Sequence, residues 1–236
     1  EISGVVTELQ NAIACAGRIF ELIEEEPQLL DAEDARVLTD VEGAVSLNNV
    51  SFSYSKDRKL IEGLNLDVKP GQRIAIVGPT GCGKTTITRM LNGLIPHFYE
   101  GEMQGKVTVC GMDVQKEEIY NISQKVGSVF QNPRSQFFCM DTTSEIAFGC
   151  ENLGLPEKEI RERMNVVTDQ LEMDLFLDRD IFQLSGGEKQ RVACASVSAM
   201  MPEVFVLDEP TSNLDIKSIE KLKQVLSFWK DQGKTI

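Results

Sequence analysis

The stretch Gly78-Pro-Thr-Gly-Cys-Gly-Lys-Thr85 sits between a short apolar run, Arg73–Val77, and a segment with helical spacing, Thr85–Asn92. Few folds accept a strand, a glycine-rich loop and a helix in that order. Glycines at 78, 81 and 83 let the backbone curl until its N–H groups face one point, and the helix adds the positive end of its dipole. Such a loop cradles a phosphate chain. Lys84 reaches the β- and γ-phosphates, and Thr85 offers a hydroxyl to Mg2+. By itself the pattern establishes a nucleoside triphosphate or a similar phosphoryl ligand; a kinase or a GTPase would satisfy it equally.

Two further stretches narrow the choice. Leu184-Ser-Gly-Gly-Glu-Lys-Gln-Arg191 places a hydroxyl and free N–H groups at the mouth of a predicted helix, Gly187–Met200. That arrangement suits a second phosphate contact. About twenty residues on, the apolar run Val204–Leu207 reads as a buried parallel strand ending in Asp208-Glu209. A carboxylate at that edge of a parallel sheet is where α/β proteins build their sites. Strands are also predicted at Val45–Tyr54, Leu64–Val68, Lys106–Val109 and Val126–Phe130, with a turn at Pro70-Gly71. Residues 142–180 are mostly helical in pattern, Pro156 stands near a helix start, and Asp215–Asp231 is an amphipathic helix. Strands alternating with helices predict a doubly wound α/β core.

On these three stretches the chain resembles the ATP-binding cassette (ABC) ATPases, from about residue 45 to its end. The resemblance implies a P-loop NTPase fold with a RecA-like core, an antiparallel β subdomain and an α-helical subdomain at about 135–185. It also implies roles for single residues. Gly78, Pro79, Thr80, Gly81, Cys82, Gly83, Lys84, Thr85 and Thr86 hold the phosphates of ATP. Thr85, Gln131 and Asp208 attend Mg2+. Glu209 polarises the attacking water, with Gln131 and Lys84 completing the catalytic set, and an amide at 131 can both donate and accept. Tyr54 stacks on adenine. Ser185, Gly186, Gly187 and Glu188 contact the ATP held by a second cassette, and Asp215 belongs to the loop crossing that interface. Two chains bury two ATP molecules head to tail about a twofold axis. The implied partners are a second cassette, identical or related, and a transmembrane transporter subunit, with the cassette on the cytoplasmic face of the membrane.

Charge and cysteine content bear on the partners. The net charge is −13, but residues 1–42 hold 11 of the 37 acidic residues and 2 of the 24 basic ones. The remainder is nearly balanced and carries no basic stripe, so a nucleic-acid partner is not expected. No apolar run approaches the roughly 18 residues that a membrane span needs. Six cysteines (Cys15, Cys82, Cys110, Cys139, Cys150, Cys194) lack paired spacing, which argues against zinc and against a disulfide framework. Cys82 lies at a helix start inside the phosphate loop, where a thiol is open to alkylation and ATP would shield it.

Ahead of the domain at 43–236, residues 1–42 read as an amphipathic helix and an acidic linker. Ile2, Val6, Leu9, Ile13, Ala16, Phe20 and Ile23 form one apolar stripe, and Pro27 stops it. The resemblance is a mosaic. Residues 1 to about 80 look like the end of an exporter membrane domain and the start of its cassette. Residues from about 86 look like the ATPases of energy-coupling-factor (ECF) uptake systems, through Leu91–Gly101, Phe130–Phe138 and Ser144–Gly149. The uptake reading carries more weight, because the family docks its membrane partner within 131–180. The family also places a histidine after the next strand. The chain's single histidine, His97, stands elsewhere, and the sequence stops at Ile236 as that strand begins. This chain is therefore expected to bind ATP and hydrolyse it weakly. Rival readings are a cassette acting on DNA or ribosomes, a non-catalytic ATP-dependent interaction module, and a small-molecule kinase.

Overall fold

The computed structural model describes residues 42–55, 59–212 and 214–236. The helix and linker expected over 1–42 lie, but for residue 42, outside the described residues. Strands β1 (Val45–Ser53), β2 (Ile61–Val68), β3 (Glu102–Val109) and β4 (Met112–Asp113) form an antiparallel sheet in the order β2-β1-β3-β4. In β1 the core-facing residues are Val45, Leu47, Val50 and Phe52, so the alternation slips by one between Leu47 and Val50. The register shifts there against both neighbours, and Asn49 adopts φ 49°. A bulge of this kind returns Val50 and Phe52 to the buried face, and asparagine tolerates the left-handed backbone it needs.

Helix α1 (Lys84–Leu91) leaves the glycine-rich loop and buries Ile87, Met90 and Leu91 against this sheet. The first core is therefore the antiparallel sheet, α1 and the near faces of the two parallel strands. Those strands are β5 (Val126–Val129), which follows α2 (Ile119–Lys125), and β6 (Val204–Leu207). They pair in parallel from Val126↔Val204 to Val129↔Leu207. Val204 and Val206 face the first core, and Phe205 faces a second one. Burial on both faces is why β6 reads as an unbroken apolar run.

The second core belongs to the helices α3 (Thr142–Asn152), α4 (Glu157–Gln170), α5 (Gly186–Ala199) and α6 (Ile216–Asp231). Pro156 caps α4, where its missing N–H costs nothing. Trp229 of α6 is 1% exposed and stacks on Phe205 with centroids 3.8 Å apart. Its indole N–H donates to Ser198 Oγ at 2.8 Å, and that hydroxyl donates to the Cys194 carbonyl at 2.6 Å. The one polar atom of the largest core side chain is thus paired.

One expected element is absent. Arg73–Val77 forms no strand, although its apolar content predicts one. A strand needs a neighbour with which to exchange hydrogen bonds, and propensity alone supplies none. Among the described residues, the backbone links of this segment are Ile74 N–H to the Ile236 carbonyl at 2.8 Å and, one residue before it, the Gln72 carbonyl receiving Ile236 N–H at 2.9 Å. Instead of pairing with β6, Ile74 and Ile76 share with Val204 and Val206 an apolar cavity of about 450 Å3.

Candidate functional site

The parallel pairing of β5 and β6 brings two distant stretches of chain to one sheet edge. Gln131 follows the end of β5, Asp208 and Glu209 follow the end of β6, and Asp208 N–H continues the ladder to the Val129 carbonyl at 3.0 Å. Gln131 Nε2 consequently donates to Glu209 Oε2 at 3.0 Å, across 78 residues of sequence. Ser212 Oγ donates to the same oxygen at 3.3 Å.

The glycine-rich loop meets this edge from the other side. Gly81 and Gly83 have φ +84° and +92°, a backbone region closed to most side chains. A Cβ on Gly83 would also stand 3.2 Å from Ile61 Cγ1. Gly83 precedes α1 and offers no side-chain cap, so the first N–H groups of that helix are left for a ligand. Lys84 Nζ donates to the carbonyls of Gly78 at 2.7 Å and Pro79 at 3.2 Å, and lies 3.7 Å from Glu209 Oε1. Thr85 Oγ1 donates to Asp208 Oδ1 at 3.1 Å.

A single cavity of about 570 Å3 joins these groups. The loop contributes Thr80, Gly81 and Gly83 to its wall, and α1 contributes Lys84, Thr85 and Thr86. Gln131, Glu209 and Tyr54 also line it. The volume lies within the roughly 300–1,000 Å3 of small-molecule sites. Asp208 is 9% exposed and behind this wall, held by Thr85. Ser55 and Leu60 also line the cavity. Sequence reasoning missed both, since neither belongs to a motif. Cys82 is exposed, and its N–H donates to the Pro79 carbonyl at 3.3 Å.

Glu209 has φ +45°, which is uncommon for a residue with a Cβ. The bend turns its carboxylate toward Gln131 and Lys84. Strain of this kind concentrates at functional sites.

The remaining predicted residues lie elsewhere. Ser185 caps α5. Its hydroxyl accepts Glu188 N–H at 3.3 Å, while Ser185 N–H donates to Glu188 Oε2 at 2.7 Å, a reciprocal capping box. Glu188 also meets Arg179 at 3.2 Å, and these bonds, that from Ser185 foremost, hold its carboxyl below the usual range. Ser185 and Gly186 are exposed and Gly187 half-exposed, at the N-terminus of a 14-residue helix. Gly186 shares a separate cavity of about 460 Å3 with Gln131 and Ser212. Asp215 caps α6, accepting Ser218 N–H at 2.7 Å. His97 Nε2 bonds to the Val114 carbonyl at 3.0 Å and does not line the 570 Å3 cavity.

Apart from this geometry, the chain is similar to known proteins. A putative ABC transporter ATP-binding protein of Treponema denticola is 50% identical over 194 residues, 81% of this chain and 40% of that protein. The chain spans about two fifths of that relative's length. The energy-coupling factor transporter ATP-binding protein EcfA1 of Bacillus subtilis is 40% identical over 192 residues, 80% of this chain and 66% of that protein. Among solved structures, cbiO1 from Clostridium perfringens, part of the ABC transporter complex cbiONQ, matches with a TM-score of 0.72 at 28% identity, covering 81% of this chain and 75% of that one. A bacterial Atm1-family ABC exporter with ATP bound matches with a TM-score of 0.69 at 27% identity, covering 96% of this chain and 39% of that one. The ABC transporter family profile matches residues 61–212, well over half of the sequence, and this chain belongs to that family.

Proposed function

We propose that this chain is the ATP-hydrolysing motor of an ECF-type uptake transporter, with residues 43–236 as its cassette and about 135–185 as the helical subdomain. The observation that carries the reading is the convergence of Lys84, Gln131, Glu209 and Tyr54 on one cavity. ATP enters with its base on the Tyr54 ring and its phosphates along the loop from Gly78 to Thr86. Ammonium and backbone N–H groups there meet the negative charge that develops on the phosphate oxygens.

Glu209 accepts a proton from water, the water oxygen bonds to the γ-phosphorus, and the bond to the β–γ bridging oxygen breaks. The products are ADP and inorganic phosphate. Gln131 orients Glu209 through the 3.0 Å hydrogen bond. Thr85, Asp208 and Gln131 offer oxygen donors of the kind Mg2+ takes, and the described residues contain no cluster of three or more His, Cys, Asp or Glu fit to hold a metal. The protein thus supplies the few ligands that leave room for phosphate oxygens, and the ion when bound neutralises charge on the transferring phosphoryl group.

The second half of each site is the α5 N-terminus of another cassette, where Ser185, Gly186 and Gly187 lie open. The two cassettes close head to tail on ATP and part after hydrolysis. No helix among the described residues is long and apolar enough to cross a membrane. In this reading the cassette sits at the cytoplasmic face and drives a separate transmembrane subunit. An exporter-type cassette is the alternative, favoured by the coverage of 96% of this chain in the exporter match.

The test compares the unmodified chain with Glu209→Gln by size-exclusion chromatography and phosphate release in Mg-ATP. The expected result is an ATP-dependent dimer of Glu209→Gln and loss of any turnover. Dimerisation with equal phosphate release by both forms would remove Glu209 from the chemistry. Dimerisation with no release by either form, alone or with a transmembrane subunit, would favour a non-catalytic interaction module.

A further inference from the structure

Tyr54 follows the end of β1 and is 43% exposed. A tyrosine in that position would ordinarily turn freely about its side-chain torsions. Here three contacts hold it. Phe52 meets its ring edge to face, with centroids 4.8 Å apart at 89°. The Tyr54 hydroxyl lies 3.2 Å from Thr86 Oγ1. Arg89 NH1 donates to the same hydroxyl at 3.2 Å. The Arg89 guanidinium is itself held over the Tyr99 ring, 4.2 Å from its centroid. Tyr99 in turn packs on the first core.

Thr86 and Arg89 are three residues apart on α1, the spacing that puts two side chains on one helix face. The same helix opens with Lys84 and Thr85. The network therefore ties the aromatic ring to the element that grips the phosphates, and fixes the distance between the two ends of the cavity. Thr86 is 4% exposed, and Tyr99 is half-buried and packed on the first core.

We propose that Arg89 is a positioning residue for nucleotide binding: through the Tyr54 hydroxyl it presets the base platform at the reach that a nucleoside triphosphate needs. This rests on the reading of Tyr54 as the base platform. Arg89 does not line the cavity, so its contribution is preorganisation, a lower ordering cost when the base arrives. A ligand with phosphates and no base should be indifferent to it.

That difference supplies the test. Isothermal titration of the 236-residue chain would use Mg-ATP and Mg-tripolyphosphate as paired probes, on Arg89→Met, Arg89→Lys, Tyr54→Phe and Tyr54→Ala. Losing one or two hydrogen bonds weakens binding by about three- to tenfold. Arg89→Met and Tyr54→Phe are each expected to weaken ATP by that factor while tripolyphosphate stays within about twofold, the scatter of such a comparison. The pair combined should cost no more than the larger single effect, because both act on one hydroxyl. Arg89→Lys should recover part of the loss, as a single-point donor would. Retained tripolyphosphate affinity reports that the loop and α1 remain folded.

Equal weakening of both probes by Arg89→Met would mean a purely structural role in α1 and overturns the proposal. An unchanged ATP affinity in Arg89→Met overturns it too. If Tyr54→Ala leaves the ratio of the two affinities unchanged, the base-platform reading falls and the inference with it. If Tyr54→Ala moves the ratio and Arg89→Met does not, the inference alone falls.

Discussion

Cys82 shows how much one side chain can report. Cys110, Cys150 and Cys194 are buried, and burial pushes the Cys110 and Cys194 thiols up to about 12. Cys139 is half-buried, and burial followed by the Glu145 charge raises it as well. Cys82 is exposed in the glycine-rich loop, just before the first N–H groups of α1. Alkylation by iodoacetamide should therefore find Cys82 first among the described cysteines, and Mg-ATP should slow it. If only the open site reacts, nucleotide at 100 times its Kd slows the rate by about a hundredfold. Peptide mapping by mass spectrometry checks the assignment, and an ATP-insensitive rate at Cys82 would show that bound nucleotide does not cover the thiol. The residues that meet at the cavity were legible because each belongs to a motif with a chemical reason. Ser55, Leu60 and Arg89 were not. Their parts depend on the angle between α1 and the end of β1, which no local spacing encodes.

At the scale of elements, two helices make separable predictions. The α5 cap depends on Glu188, whose carboxyl is held below its ordinary value of 4.5, first by the Ser185 N–H. A lowered folded-state pKa adds stability that is complete above the ordinary value and is lost as pH falls through the lowered one. Glutamine at this position keeps the capping geometry and loses the charge at the helix N-terminus. Glu188→Gln should thus cost about 0.5 kcal/mol at pH 7, and the gap should narrow in acid as pH falls through the lowered value. Urea unfolding at pH 7 and in acid measures it; a gap that persists or widens in acid contradicts the charge argument. In α6, Trp229→Ala should cost about 3–5 kcal/mol through the cavity left beside Phe205. Trp229→Phe should cost less, since Ser198 still donates to Cys194. A loss under about 1 kcal/mol for the alanine variant would mean that the second core collapses into the space. Element identity was legible wherever an apolar period met its capping or turn chemistry, as in α5 and α6, while α3 and α4 were read only as one mostly helical stretch over 142–180. It failed at Arg73–Val77, because strand formation depends on a partner and the apolar run says nothing about one. It also under-read β3, whose first half, Glu102–Gly105, offers one apolar residue, Met103, and pairs with β1 from Ser53 to Ser51.

For the whole molecule, the architecture follows from one topological fact. β5 and β6 run parallel, so Gln131 and Glu209 share an edge, and the antiparallel sheet brings Tyr54 to the same cavity. The alternation of strands and helices made that layout predictable, while the sizes of the two cores were not, because they depend on which face of β6 each helix covers. The left-handed backbone at Glu209 has a further consequence, for how the molecule has been shaped by selection. Folding alone would favour a residue there with no Cβ to strain. Glu209→Gly should relieve about 1 kcal/mol after its own entropy cost and raise Tm by about 2–4 °C, although it removes the carboxylate. A drop in Tm on calorimetry would mean that the contacts to Gln131, Ser212 and Lys84 outweigh the strain. A rise would show that the left-handed backbone at Glu209 costs more than its contacts to Gln131, Ser212 and Lys84 return.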